Sequence, residues 1–576
     1  MNTKTRLKNL IEVAAGRKKA DLVLKNARVL NVFTGEWISG DVAIADGLIA
    51  GVGDYAGKEE IDLAGKFVAP GFIDTHLHIE STMLTPVEFL RIAVAHGTTT
   101  FLCDPHEIAN VCGLDGVDFM IREAQEVPCD AKFMLPSCVP ATPFEDNGYK
   151  IGGAETRAHV GEERFFGLGE FMDYPGVISG AEEPLEKIAA CKDAGKPVDG
   201  HCMLGGKSLT AYAAAGIRTD HECTTVAEMR EKLRAGMYVQ IREGSATRNL
   251  ETLVQGLTPR SLRRCVLCTD DRTAKDLLTV GHLDKNIRLG IACGVAPEDM
   301  LTMATLNAAE CYGFADRGAV AAGRRADLAV IGDLAKTDVQ MVFVQGKLVA
   351  KEGKALFDRK KVSDARVKNT LRFPDLTAEK LSIPLTGTRA RVMRLLPKNV
   401  LTESLVREVC TSEGKFAFGG EDVLKLAVAE RHKNTGKVGL GLIEGYGLKG
   451  GAAAITVAHD SHNLIVVGDS DEDMCLAANR LKTLGGGMAL VRGGKVVAEF
   501  PLEVAGLMSE RDAAQVAAGL ERMSALAHEM GVPREIEPFM CLSFLSLAVI
   551  PALKVTASGL FDVEKFRFTS VDAERE

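Results

Sequence analysis

The sequence predicts an α/β protein organised around a (β/α)8, TIM-like barrel. A small β-sandwich domain built from both flanking segments and a C-terminal α/β domain complete it. Three observations lead there. Short apolar strand candidates alternate with helical periodicity through the middle of the chain; strand-rich segments of like texture flank that region; and the texture changes again beyond about Phe373. At 576 residues the chain exceeds one ordinary core and should divide into about three units.

In chain order, residues 1–19 read as a polar amphipathic helix. Residues 20–69 turn quickly, with Gly35, Gly40, Gly47 and Gly53 between short alternating runs, the pattern of a small sheet. The same texture returns at 320–365, in Ala326–Gly332 and Val342–Val349. Strands on either side of an inserted domain can pair, since domain termini tend to lie close together, so both segments are assigned to one composite β-domain. Residues 70–319 supply strand candidates at 71–78, 98–104, 131–137, 165–170, 196–201, 217–222, 237–242 and 265–270, with helical stretches such as Pro86 to Ala95 and Glu182 to Ala194 between them. Eight such alternations fit a closed barrel; a doubly wound open sheet is the alternative. Residues 370–576 form the third unit. Its glycine-dense stretch, Gly439 to Gly447, lacks the Lys-Ser/Thr of a phosphate loop and reads as tight sheet geometry.

Composition narrows the function classes. A hydrophobic content of 46% with 26% charged residues is that of a globular protein, and a net charge of −9 without a basic block argues against a nucleic-acid partner. No apolar run spans a bilayer and no signal peptide is evident, so no membrane partner is expected. Fourteen scattered cysteines suit a reducing cytoplasm, and Cys265-x-x-Cys268 on a strand reads as core packing.

The chemistry starts at Pro70-Gly71-Phe72-Ile73-Asp74-Thr75-His76-Leu77-His78. Alternate side chains of a strand share a face, so His76 and His78 can hold one ion. A barrel gathers its active site at the C-terminal ends of its strands. Those ends carry His76 and His78 on strand 1, Glu170 on strand 4, His201 on strand 5, His221 on strand 6 and Asp270 on strand 8. Four imidazoles and two carboxylates with no thiolate suit Zn, Mn or Fe(II), singly or as a pair about 3.5–4 Å apart. Each residue alone has a duller explanation as a hydrogen-bonded polar group or a helix cap; five of eight strand ends carrying ligand-type side chains do not.

With single histidines on strands 5 and 6 and an aspartate on strand 8, the Pro-Gly-Phe-Ile-Asp-Thr-His-Leu-His segment resembles the amidohydrolase superfamily. His76 to Met83, Cys103-Asp104-Pro105-His106-Glu107, and Gly439 to Gly447 with His459 further resemble its bacterial adenine-specific deaminase family. The resemblance spans nearly the whole chain. It implies hydrolysis of adenine to hypoxanthine and ammonia in purine salvage, a binuclear Mn or Fe(II) centre, and a homo-oligomer, expected to be a dimer. Where many binuclear amidohydrolases use a carboxylated lysine on strand 4, this chain has Glu170 and no lysine in 165–170.

Asp270 is expected to move the proton of the attacking water. Glu243, at the end of strand 7, is the candidate donor to the purine N1, with Glu107 and Glu222 as rivals. His106 and Glu107, just past strand 2, are further catalytic candidates; Glu80, Ser81, Arg242 and Ser245 are candidate substrate contacts. Whether His459 and His462 reach the site depends on how the third unit packs. Two other functions fit the same residues: an amidohydrolase for another aminopurine or a cyclic amide, and a non-catalytic metal-binding ligand sensor.

Overall fold

The computed structural model describes residues 2–397, 399, 401–420 and 422–575. An N-terminal helix, Thr3–Ala14, lies against a sheet of nine strands. That sheet is drawn from both sides of the barrel in sequence: Ala20–Asn31, Glu36–Ala45, Leu48–Gly53, Gly57–Asp62 and Phe67–Pro70 before it, and Leu328–Ile331, Val339–Val344, Lys347–Lys351 and Lys354–Ala355 after it. The junction is the antiparallel pair Phe67–Pro70 with Leu328–Ile331. A two-sheet sandwich was the expectation; the strands instead form one hydrogen-bonded sheet. A register shift between Leu24 and Ala27 lets Ala20–Asn31 pair in parallel first with Gly57–Asp62 and then with Phe67–Pro70. The two wings still share one core, in which Leu24, Val42 and Ile44 pack with Leu328, Val330 and Phe343.

The barrel strands follow in sequence order and run parallel: Phe72–His78, Thr98–Cys103, Asp130–Leu135, Phe165–Phe171, Val198–Gly200, Thr219–Asp220, Tyr238–Arg242, and an eighth in two pieces, Cys265–Cys268 and Asp270–Asp271. Closure rests on the last pairing. Asp270 and Asp271 lie in parallel register with Leu77 and His78, joining strand 8 to strand 1 and excluding the open sheet. The ladder has a seam between strands 5 and 6, where the Gly200 amide donates to the Thr219 hydroxyl at 3.1 Å, and a break within strand 8, whose first piece meets strand 1 through the Thr75 hydroxyl donating to the Leu267 carbonyl.

The C-terminal region holds an eight-stranded, mostly antiparallel sheet covered by helices Asp471–Leu484 and Ala513–Glu529. Gly439 and Gly441 sit within the strand Val438–Glu444. A Cβ at Gly439 would lie 1.8 Å from the Thr556 carbonyl oxygen, and one at Gly441 would lie 2.6 Å from Val555. The glycine-dense stretch therefore lets a final hairpin pack flat on the sheet. This region seats on the barrel mouth: the Ser509 amide donates to the Met83 carbonyl, the Ala513 amide donates to Glu88, and Phe144 stacks on Phe561 at 4.5 Å.

Candidate metal centre

Strand alternation carries His76 and His78 to the same face at the end of strand 1, both buried. Glu170, from strand 4, occupies the middle of the mouth. Its amide is fixed by Asp104 Oδ2 at 2.8 Å, and Gly169 leaves room for that carboxylate, since a Cβ there would lie 2.2 Å from it. The two carboxylate oxygens of Glu170 face different partners. Oε1 lies 3.3 Å from His78 Nε2 and 3.6 Å from His106 Nδ1. Oε2 lies 2.7 Å from His201 Nδ1, 3.2 Å from His221 Nε2 and 4.0 Å from His76 Nε2. Asp270 completes the ring, with Oδ1 at 3.2 Å from His78 Nε2 and 3.6 Å from His76 Nε2. Its backbone has φ of 54°, a left-handed conformation that aspartate tolerates better than most residues; here strand 8 breaks between Cys268 and Asp270.

Overlapping triads of this ring, His76/His78/Asp270, His76/Glu170/His221 and His78/His106/Glu170, bring their ligand atoms within 4.8 Å of one another. The fit to a cation is chemical as well as geometric. His76 Nε2 is buried with no hydrogen-bond partner, although an unpaired buried ring nitrogen is costly. Burial would raise the Glu170 carboxyl, but His201, His221 and His78 hold it well below the usual carboxylate range. Burial likewise opposes ionisation of Asp270, and Arg242, with His76 and His78, outweighs it. Two ionised buried carboxylates among imidazoles are what divalent ions require.

Around the ring, the remaining candidate residues take up partners of their own. Arg242, expected to contact substrate, is turned inward: its Nη1 donates to Asp270 Oδ2 at 2.7 Å and also to Glu222. Burial raises the Glu222 carboxyl, but Arg242, His201 and His221 together bring it down to about 2. Glu243, expected as the N1 proton donor, lies outside the ring, paired with Lys285 at 2.5 Å and accepting the Leu250 amide. The pair binds it to the helix Leu283–Ala292 and withdraws it from the mouth. Ser245 accepts the Thr273 amide and donates to Asp276, while Ser81 donates to Asp271. Both serines line a cavity of about 530 Å³ between the barrel mouth and the C-terminal region, with Glu80, Asp271, His459 and Phe544. Glu80 accepts the Ile108 amide through Oε1 and leaves Oε2 without a partner; burial raises its carboxyl to about 7.

The full extent of the chain has curated relatives. An adenine deaminase 2 from Desulfotalea psychrophila is 49% identical over 574 residues, covering 99% of this chain and 100% of the relative. An adenine deaminase from Nitratidesulfovibrio vulgaris is 48% identical over 567 residues, covering 98% and 99%. One from Clostridium acetobutylicum is 45% identical over 562 residues, covering 97% and 99%. The amidohydrolase family model matches residues 67–349, and the model of the adenine deaminase C-terminal domain matches 399–567. The chain belongs to the adenine deaminase family of amidohydrolases.

Within this family member, the C-terminal domain carries what sequence reasoning left open. Glu107, at the start of helix His106–Gln125, is gripped by two of its histidines: His459 Nδ1 lies 2.7 Å from Oε1, and His462 Nε2 bonds Oε2. The partners are 352 and 355 residues away in sequence, so no local motif announces them. Glu222, weighed only as a rival, stands 3.5 Å from His221 and 3.7 Å from His201. Its adjacency to His221 in sequence was the available signal. Among the described residues no helix is long and apolar enough to cross a membrane.

Proposed function

We propose that the protein hydrolyses adenine to hypoxanthine and ammonia on a binuclear divalent centre held by His76, His78, Glu170, His201, His221 and Asp270. The observation that carries this reading is Glu170, whose two oxygens address two histidine groups as a bridging carboxylate does. The relatives, adenine deaminases, supply the purine. When bound, the ions supply the Lewis acidity that makes water a nucleophile near neutral pH. The imidazole and carboxylate donors, with no thiolate among them, favour Mn or Fe(II) and admit Zn.

The chain's own residues do the rest. Asp270 is kept ionised by Arg242 through Oδ2, and its Oδ1, on the side of His76 and His78, takes a proton from the attacking water and delivers it to the leaving amine. Arg242 thus acts on substrate through Asp270. Glu80 presents an unpartnered oxygen to the cavity and is the side chain best placed to bond the base. The C-terminal domain roofs the cavity and limits water. This reading also takes the chain as a composite β-domain (20–69 with 320–365), a barrel (70–319) and a roof (370–576), working as a homodimer in the cytoplasm.

The test is direct. Protein loaded with Mn, Fe(II) or Zn should convert the adenine spectrum to that of hypoxanthine with stoichiometric ammonia. A panel with guanine, dihydroorotate and hydantoin should stay unconverted; turnover of one of those and not of adenine overturns the assignment.

A further inference from the structure

The roof contributes one side chain that its structural role does not use up. His459 lines the cavity together with Glu80, Ser81 and Asp271 of the barrel mouth. Its ring is held from three sides. Nδ1 faces Glu107 Oε1 at 2.7 Å, Phe544 stacks on it at 4.6 Å and 21°, and its backbone amide donates to the Ser543 carbonyl at 2.8 Å. With Nδ1 turned to a carboxylate, the ring has one nitrogen left, Nε2, and no hydrogen bond to it is found among the described residues. A histidine oriented by a carboxylate on one nitrogen and open on the other is the arrangement that presents a fixed N–H or lone pair to a ligand.

Two duller roles compete with that one. The Glu107/His459/His462 group could hold a third cation. However, His462 Nδ1 accepts the Ala458 amide at 3.1 Å, so a neutral His462 carries its proton on Nε2, the nitrogen that faces Glu107. A metal-bound imidazole needs the opposite arrangement, donating outward through its second nitrogen. The group could instead be only a clamp between domains. For that, His462 suffices: it is 1% exposed and bonded to Glu107, whereas His459 keeps 12% of its side chain open to the cavity.

We propose that His459, carried by the C-terminal domain, is a substrate-contacting residue of the barrel's active site, bonding an acceptor nitrogen on the purine edge through Nε2. The inference rests on adenine as substrate, and Glu107 serves it as a positioning residue. The active site then has two walls from distant parts of the chain, Glu80 from the barrel and His459 from the roof.

The experiment uses hypoxanthine, which is not turned over, so binding is read whatever the turnover of adenine; adenine assays on the wild type judge the proposed function separately. Calorimetry on the metal-loaded full chain should show His459→Ala binding hypoxanthine about tenfold more weakly. His459→Gln, which keeps a donor, should recover most of the loss, and metal content should stay unchanged in both. One of the 3-deaza and 7-deaza analogues should bind the wild type about tenfold more weakly and lose nothing further in His459→Ala. Equal hypoxanthine affinity in wild type and His459→Ala overturns the proposal, as do equal deaza penalties in both proteins. If His459→Ala does not fold, Phe544→Leu, which removes the ring stacked on His459, takes its place with the same expected losses.

Discussion

The two ends of the barrel both carry carboxylates at least partly withdrawn from water, and they treat them in opposite ways. At the N-terminal end, Asp130 opens strand 3 and is surrounded by cations: Arg317, Arg325 at 3.0 Å and Lys132 at 3.0 Å. Burial works against its ionisation, but Arg317 and Lys132 hold the carboxyl down to about 2. At the C-terminal end, Glu170 and Asp270 face mostly imidazoles, and one of these, His76, keeps a buried nitrogen unpaired. Charge satisfied within the chain marks a structural cluster; charge left for something else marks a site.

Substitutions should separate the two ends. Glu170→Gln is expected to have the largest effect: loss of metal by at least about 100-fold in affinity, with turnover lost in parallel, read by metal analysis after dialysis. Retention of both ions would remove the bridging assignment. Asp270→Asn should lower kcat about 10³-fold while metal stays bound, because the proton shuttle is gone and the histidines are not. At the other end, Asp130→Asn should leave kcat unchanged and cost about 1.5 kcal/mol in denaturant unfolding, since it weakens a charge-assisted bond to Arg317 while Asp316 keeps that guanidinium paired. The same carboxylate gives a pH signature. Its pKa is lowered in the folded state, so its contribution is fully present above the ordinary value of about 3.9 and is lost as pH falls toward 2. Acid unfolding of wild type and Asp130→Asn should therefore converge across that window. The smallest change is expected from Glu243→Gln: kcat within about threefold of wild type, against a loss of about 10²-fold or more if Glu243 were a proton donor.

Which features the sequence made legible follows from how far their causes extend. The metal-type residues at strand ends could be read because period-two alternation and barrel geometry are local rules, applied one strand at a time. The ion pairs of Arg242 were out of reach because its two counter-charges, Glu222 and Asp270, converge only when strands 6, 7 and 8 stand side by side. The pairing of Glu243 was hidden for the same reason, its Lys285 lying 42 residues on. The single sheet in place of a sandwich turns on one register shift in Ala20–Asn31, which hydrophobic patterning does not encode. The grip on Glu107 lay furthest out of reach, since it depends on how the roof docks on the mouth.

That grip also has a temporal side. Glu107 is made 352 residues before His459, and at roughly 5–20 residues per second a ribosome needs about 20–70 s to close the gap. During that interval the barrel can fold around every proposed metal ligand while its mouth stands uncovered and the Glu107 carboxylate lacks both histidines. A chain interrupted before residue 370 would be a barrel with its ion-binding residues in place and no roof over the base.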